Sequence, residues 1–122
     1  MTRAQMVAEF GEPGVENATL MDLIEVDPVS ADVVLVMIER RPWGADPRQF
    51  RQIEEKINRY LAYALDGHLA EHYPQYRGKR VAIRLDCAEA PTDEALRFVG
   101  AAEHATSAHG VGFVVKVTSP PG

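Results

Sequence analysis

The segment His-Leu-Ala-Glu-His at residues 68–72 has the residue types and spacing most suggestive of chemistry. It matches the H-x-x-E-H pattern of inverted zincin peptidases, in which two histidines on one helix share a metal ion beside a glutamate base. The helix that carries it is short, because it begins after Gly67 and meets Pro74, and no third ligand is evident. We therefore predict no resident metal and no catalytic residue. His68 and His72 are candidates for adventitious Zn²⁺ or Ni²⁺ at most, and a metal-dependent hydrolase is the second alternative function.

A second candidate is the loop after the second predicted strand, together with the start of the helix that follows. Its arginines and its tryptophan are Arg40, Arg41, Trp43, Arg48 and Arg51. Both residue types are enriched at interaction hot spots, so we predict a binding surface for an acidic protein or a small anionic ligand. The structural alternative is that Trp43 packs under the helix N-terminus while the arginines pair with glutamates at 39, 54 and 55.

Cys87 follows Asp86 at the C-terminal end of a predicted strand, where α/β proteins often carry functional groups. A reactive thiolate needs a nearby base or cation that lowers its pKa, whereas the next helix begins with two acidic residues. We expect a buried, unreactive thiol. A small enzyme or ligand-binding protein with its site at strand ends, near Trp43 and Cys87, is the first alternative function. Because the chain has one cysteine, an intramolecular disulfide and a multi-cysteine zinc site are excluded.

Acidic residues are concentrated in the first predicted hairpin and just after it: Asp22, Glu25, Asp27, Asp32 and Glu39. Their spacing is not that of an EF-hand. Acidic residues are common in turns and at strand edges, where they discourage pairing with other chains. We therefore predict a solvated edge and no cation site.

The elements that position these residues follow the predicted order β-β-α-β-α-β. Strands are predicted at 20–26, 33–38, 80–86 and 112–117, and helices at 46–66 and 92–109, with a brief helical turn at 68–73. Helical crossovers make the last three strands parallel and place both helices on one face of the sheet, while the first two strands form an antiparallel hairpin. The predicted fold class is α/β, with α+β as the alternative: a two-layer sandwich with a four-stranded mixed sheet.

The first helix has the clearest sequence signals. Asp46 is the predicted N-cap, Pro47 occupies the first helical position, and Gln49 completes a capping box. Apolar residues then recur at helical spacing along one stripe: Phe50, Ile53, Ile57, Tyr60, Leu61 and Ala64. Lys56 is assigned to the polar faces, and Asp66-Gly67 is predicted to end the helix.

The sheet face opposite the helices contains Val34, Val36 and Ile38, from a strand that is apolar on both sides. Such a face needs a cover, and we predict a homodimer that buries these three side chains.

Length and charge exclude several classes of protein. The chain has 122 residues and a formal net charge of −5, which argues against a nucleic-acid partner because such partners need a basic face. No apolar run reaches the roughly 18 residues of a membrane span, and residues 1–11 do not resemble a secretory signal. We predict a cytoplasmic protein with no membrane partner and no cofactor. Its predicted parts are a flexible arm at 1–19, one domain at 20–118 and a disordered tail at 119–122.

The sequence of the first helix and of the segment after it is also informative. It has QIEEKINRYLAY at 52–63, DGHL at 66–69, and then Tyr73-Pro74. It resembles a family of small uncharacterised bacterial proteins, classed as a domain of unknown function, with an E-K-x-N-x-Y-L helix, a glycine break and a Tyr-Pro pair. The similarity spans roughly 21–117. It implies the same order of elements and transfers no catalytic residue. The function that these observations favour is a non-enzymatic protein-interaction or dimerisation module.

Overall fold

A four-stranded mixed sheet with helices against one face forms the domain. The computed structural model describes residues 14–18 and 20–118. The strands are β1 (Leu23–Val26), β2 (Val33–Glu39), β3 (Val81–Cys87) and β4 (Gly112–Val117). The helices are α1 (Gln49–Leu65), α2 (His68–His72) and α3 (Asp93–Ser107), and a 3₁₀ turn, Pro74–Tyr76, precedes β3. The predicted fold class, order of elements and brief helix after the glycine break are confirmed.

The strand order is β1-β2-β3-β4. β1 pairs antiparallel with β2 because a tight turn joins them, whereas β2, β3 and β4 are parallel because helical crossovers connect them. Leu35 faces Ile83, which faces Phe113 in turn. All three are buried in one hydrophobic cluster with side chains of α1 and α3, so the core lies between the sheet and the helices.

The opposite face of the sheet is crossed by one arginine. Arg84 lies beside Val36 in the register, and its guanidinium binds Glu25 on β1 at 3.1 Å and Asp86 on β3 at 2.6 Å. These bonds carry the side chain across β2. Val34 and Val36 are only 7% and 0% exposed within the single chain. They therefore do not need a second copy to cover them, which corrects the expectation attached to these two residues. Ile38 is half-buried, and homodimerisation itself stays a prediction.

Helix α1 begins three residues after the predicted cap. Asp46 accepts a hydrogen bond from the Arg48 backbone N–H at 2.8 Å and so stabilises the preceding turn, while Arg48 occupies the N-cap position without a side-chain cap. The Gln49 side chain does not close a capping box; it accepts from Gly44 N–H at 2.8 Å and donates to the Pro42 carbonyl at 3.2 Å. The predicted stop is confirmed, since Asp66 is the C-cap.

Helix α3 and the last strand match their sequence signals. Thr92 is the N-cap, and its hydroxyl accepts from Ala95 N–H at 3.1 Å. Val99 and Ala102 face the core, so the helix packs closely on the sheet through small side chains. In the described part of the chain, every helix is too short or too polar to cross a bilayer.

The segment before β1 corrects the predicted N-terminal boundary. Val15 is fully buried in the hydrophobic cluster, and its N–H donates to the Ile38 carbonyl at 2.9 Å, which extends the edge of β2 beyond the end of β1. Residues 14–18 therefore belong to the domain and not to a flexible arm. The rest of that predicted arm, and the predicted tail at 119–122, lie outside the described residues.

Candidate functional site

The C-terminal half of α1 and the short α2 build the wall of a cavity. Asp66 ends α1, and Gly67 has a φ of 88°, a left-handed conformation that a side chain would disfavour. The chain then continues directly into α2, which is anchored by the buried side chain of Leu69. This break sets His68 and His72, one turn apart, beside the ring of Tyr63.

The cavity has a volume of about 690 Å³, more than two others lined by described residues, of about 550 and 320 Å³. Six rings line it: Tyr60, Tyr63, His68, His72, Tyr73 and Tyr76. Apolar side chains complete it: Ala18, Leu20, Met21, Ile24 and Ala62. Arg59 and Asp66 contribute one charge of each sign. We refer to it as the aromatic cavity.

The rings of the aromatic cavity contact one another. The centroid of Tyr63 lies 6.3 Å from that of His68 and 5.7 Å from that of His72, and Tyr73 stacks on Tyr76 at 5.5 Å. The Tyr63 hydroxyl lies 3.0 Å from His72 Nδ1. Partial burial and the neighbouring Tyr73 raise the pKa of Tyr63. The hydroxyl of Tyr63 is therefore neutral at pH 7, and the cavity offers π faces and hydrogen-bonding groups beside the charges of Arg59 and Asp66.

The glutamate of the H-x-x-E-H string does not join this arrangement. Its side chain is 75% exposed, its carboxylate lies 3.9 Å from His68 Nδ1, and it is not part of the cavity lining. A base aimed at a metal-bound water would have to face the same space as the two imidazoles. In the described ranges, 14–18 and 20–118, no group of three His, Cys, Asp or Glu side chains is placed to hold a metal ion. The geometry therefore gives the hydrolase alternative no support.

Tyr60, which lines the aromatic cavity, also contacts a buried ion pair, Lys56 with Asp22. Their atoms Nζ and Oδ1 are 2.6 Å apart, and both side chains are fully buried. Lys56 Nζ also donates to the carbonyls of Gly14 and Asn17 at 2.6 and 2.9 Å, which uses all three of its protons. Burial lowers the pKa of Lys56, and Asp22 partly offsets this effect.

The same ion pair is tied to the sheet edge. Asp22 accepts from the Gly14 and Ile38 backbone N–H groups at 3.0 and 2.9 Å, and its own N–H donates to the Tyr60 hydroxyl at 3.1 Å. That hydroxyl donates to the Val36 carbonyl at 2.8 Å. We call these groups the polar network. Burial raises the pKa of Tyr60 far above its ordinary value, so the phenol stays protonated.

Sequence reasoning missed the polar network. The sequence pattern places Asp22 at a solvated acidic edge and Lys56 on the polar faces of α1, yet both side chains have no exposed surface. The available signal was the position of Lys56 three residues after Ile53 and four before Tyr60, which places a lysine on the apolar stripe. Glu39 corrects the same expectation, because it is fully buried and bound by Arg41.

We call the loop between β2 and α1, with the first turn of α1, the arginine loop. Two of its arginines, Arg41 and Arg48, form ion pairs within the chain. Arg41 donates to both oxygens of Glu39, at 2.9 and 2.7 Å, and approaches Asp46 at 3.5 Å. Arg48 donates twice to Asp46, at 3.1 and 3.0 Å. The predicted anion site would need the charges of Arg41 and Arg48, which are instead paired with Glu39 and Asp46. Arg40 is exposed at the end of β2, and Arg51 is exposed on α1.

Trp43 is held by the fold in the manner of the structural alternative. Its indole N–H donates to the Glu89 carbonyl at 3.0 Å, and its ring stacks on Phe50, with centroids 6.1 Å apart. Phe50 in turn stacks on Phe98 of α3 at 4.9 Å. Trp43 therefore fastens the loop to the start of α1 and to the segment before α3, and a binding role for the five residues stays a prediction.

The strand-end candidates also have structural partners. Cys87 is buried, as predicted, and burial raises the pKa of its thiol. Asp86 accepts two hydrogen bonds from Arg84, at 2.6 and 3.1 Å. Neither residue, nor Arg40 or Trp43, lines any of the three cavities given above. These three cavities, lined by described residues, therefore give the first alternative function no support.

Comparison with known proteins agrees with the boundaries of the fold. The model of a family of unknown function, DUF6572, matches residues 14–119. The match begins at Gly14, the first residue of the polar network, and includes both long helices. No curated protein and no solved structure matches the chain.

Proposed function

The chain belongs to the family of unknown function DUF6572, and from its geometry we propose that it is a non-enzymatic protein-interaction module. Its binding site in this proposal is the aromatic cavity, which accepts an aromatic side chain of a partner protein. The observation that carries the proposal is the convergence of six rings on one space of about 690 Å³.

The chemistry of the lining favours an aromatic occupant. Tyrosine and histidine rings prefer offset stacked or edge-to-face contacts with another ring, worth about 0.5–1.5 kcal/mol per pair beyond burial. The hydroxyl of Tyr63 and the ring nitrogens of His68 and His72 supply polar contacts for an indole N–H or a phenol O–H. A purely aliphatic occupant would leave these polar groups without partners.

The surroundings of the cavity favour a protein over a free small molecule. Leu65 and Tyr73 are 50% and 38% exposed; Leu65 lies at the end of α1 and Tyr73 in the cavity wall. Exposed apolar and aromatic side chains are therefore available at the end of α1 and in the cavity wall, and a protein anchor could make further contacts with them.

The non-enzymatic part of the proposal rests on the state of the reactive groups. The thiol of Cys87 is buried, Asp86 is bound by Arg84, and Lys56 is fully paired. A catalytic pair needs a nucleophile and a base within hydrogen-bond reach of each other and of a substrate. The aromatic cavity instead offers ring faces, the protonated hydroxyl of Tyr63 and two imidazoles.

The test is a titration of the protein with N-acetyl-tryptophanamide, followed by NMR of the histidine and tyrosine rings. We expect a dissociation constant on the order of 1 mM, the affinity that a fragment of this size can reach. Shifts should be confined to rings of the aromatic cavity. N-acetyl-alaninamide serves as the matched probe without a ring and should produce no shifts.

Two variants locate the site. Tyr63→Ala should weaken probe binding at least about fivefold, because it removes a stacking face worth about 1 kcal/mol. Trp43→Ala removes an aromatic residue from the competing arginine loop and should leave binding unchanged. Equal binding by both variants, or loss only in Trp43→Ala, would overturn the assignment to the aromatic cavity.

A further inference from the structure

The two histidines of α2 have their ring nitrogens in unequal surroundings. His72 Nδ1 lies 3.0 Å from the Tyr63 hydroxyl, and His68 Nδ1 lies 3.9 Å from the Glu71 carboxylate. The Nε2 atoms of both rings have no hydrogen-bond partner among the described residues. Each imidazole thus has an oxygen near one nitrogen and keeps the other available.

This is the arrangement that metal-binding histidines show. A histidine that ligates a metal through one nitrogen donates its other N–H to a carboxylate or another oxygen, which fixes the tautomer and the orientation of the ring. For His72, the oxygen beside the second ring nitrogen is the Tyr63 hydroxyl. For His68, the nearest such oxygen belongs to the Glu71 carboxylate. The role of Glu71 is then to orient a ligand, unlike the base of an H-x-x-E-H peptidase.

The spacing allows both rings to reach one ion. The residues are four apart on α2, so their side chains lie on the same face, and both line the aromatic cavity. Their ring centroids are 6.4 Å apart. The His68 side chain is 56% exposed, so its ring is free to rotate toward His72 and bring both Nε2 atoms within the roughly 2.0–2.1 Å bonding distance of one metal ion.

We infer that His68 and His72 bind one divalent transition-metal ion through their Nε2 atoms, at the wall of the aromatic cavity. Two imidazoles leave the remaining positions of the ion to water or to a group entering the cavity. Imidazole favours Cu²⁺, Ni²⁺ and Zn²⁺, whereas Mg²⁺ and Ca²⁺ prefer oxygen ligands. The inference does not depend on a protein partner, since the ion alone is the ligand.

The experiment is calorimetry of the protein without a histidine tag, with each metal chloride added alone. We expect one ion per chain, tightest binding for Cu²⁺, weaker binding for Ni²⁺ and Zn²⁺, and no binding of Mg²⁺. In the unmodified protein, Zn²⁺ should shift the ring resonances of His68 and His72. Ring shifts at His104 or His109 instead, or no saturable binding, would overturn the inference.

Variants then separate a built site from general attraction. His68→Gln and His72→Gln should each lower Ni²⁺ affinity at least about tenfold, because one imidazole alone binds weakly. His104→Gln, an exposed histidine on α3, is the matched control and should change nothing. Loss of affinity in the control equal to that in His72→Gln would show an adventitious ion only.

Tyr63→Phe distinguishes this inference from the proposed function. The change keeps the ring for stacking and removes the oxygen that orients His72, so Tyr63 is tested as a positioning residue. We expect Ni²⁺ affinity to fall about tenfold, while binding of N-acetyl-tryptophanamide falls by less than the loss of about fivefold expected for Tyr63→Ala. Loss of the probe with unchanged metal affinity would leave the metal site standing without its proposed orienting bond and would contradict the role of Tyr63.

Discussion

Tyr60 and Tyr63 lie one turn apart on α1, and their hydroxyls belong to two different kinds of polar cluster. The Tyr60 hydroxyl both donates and accepts inside the polar network, where the Lys56 and Asp22 side chains are fully buried. The Tyr63 hydroxyl contacts His72 in an exposed hydrogen bond. The ring of Tyr60 also lines the aromatic cavity, so the two regions share a wall.

The difference separates stability from binding. In the polar network each ionised or hydroxyl group already has its partners, so a ligand has nothing to gain there, and removal of one member leaves another buried without compensation. In the aromatic cavity the ring faces and the Nε2 atoms are left for a ligand. We therefore expect substitutions in the first region to change the free energy of unfolding, and substitutions in the second to change affinity.

The largest expected effect is that of Asp22→Ala. The change leaves the Lys56 ammonium buried without its counter-ion and removes the acceptor of the Gly14 and Ile38 N–H groups. We expect the free energy of unfolding to fall by about 3–5 kcal/mol, measured by urea denaturation with circular dichroism.

The control for this change is the exposed pair on the same helix. Glu55 lies 3.9 Å from Arg59, and both side chains are more than half exposed. Glu55→Ala should cost less than about 0.5 kcal/mol. Similar losses of unfolding free energy for Asp22→Ala and Glu55→Ala would show that the polar network is solvated in solution. The contrast between a buried polar network and an exposed aromatic cavity would then not hold.

Tyr60→Phe is expected to have the next largest effect. It deletes one oxygen, so the Val36 carbonyl loses one of its donors and the Asp22 N–H loses its acceptor. The expected loss is about 1–3 kcal/mol, measured by the same denaturation experiment. A loss below the error of that measurement would mean that water replaces the hydroxyl.

Alkaline pH should reveal the same hydroxyl without a mutation. Burial raises the pKa of Tyr60 in the folded protein, while in the unfolded chain the phenol ionises near its ordinary value of 10.0. The folded state then holds more protons, so stability is full below pH 10 and falls as the pH rises above it. Lys56, whose pKa burial lowers, acts in the opposite direction, but its contribution levels off above its ordinary value of 10.5.

The measurement is therefore the difference between the unmodified protein and Tyr60→Phe from pH 10.5 to 11.5. The Tyr60 contribution should decrease by up to about 1.4 kcal/mol over this unit of pH. A difference that stays constant with pH would contradict the burial of the phenol.

Local patterns were sufficient to predict most of the fold. The unbroken apolar run at 33–38, the alternation in β3 and the Thr92 cap each express a preference that neighbouring residues determine. The parallel order followed from the helical crossovers, and the break at Gly67 followed from its conformational freedom. The contacts that local patterns did not predict join residues far apart in the sequence.

The polar network joins residues 34 positions apart, Asp22 and Lys56, and two of the three acceptors of Lys56 are backbone carbonyls. Every residue type has a backbone carbonyl, so the sequence does not indicate which carbonyls will accept hydrogen bonds from Lys56. The short string around His68 was visible, but the cavity behind it was not, because its other walls come from the segment before β1 and from the 3₁₀ turn. The pairing of Arg41 with Glu39 was predictable only as an alternative, because it depends on how the loop folds back.

The smallest expected effect completes the comparison. Tyr63→Phe deletes the same single oxygen as Tyr60→Phe, three residues later on the same helix. The Tyr63 hydroxyl contacts an exposed histidine, and water can replace it on both sides of the bond. The free energy of unfolding should therefore change by less than about 0.5 kcal/mol, in the same denaturation experiment that shows the larger loss for Tyr60→Phe. Equal losses in the two variants would place both hydroxyls in the structural core, and the aromatic cavity would then be a packing defect of the fold with no surface kept for a ligand.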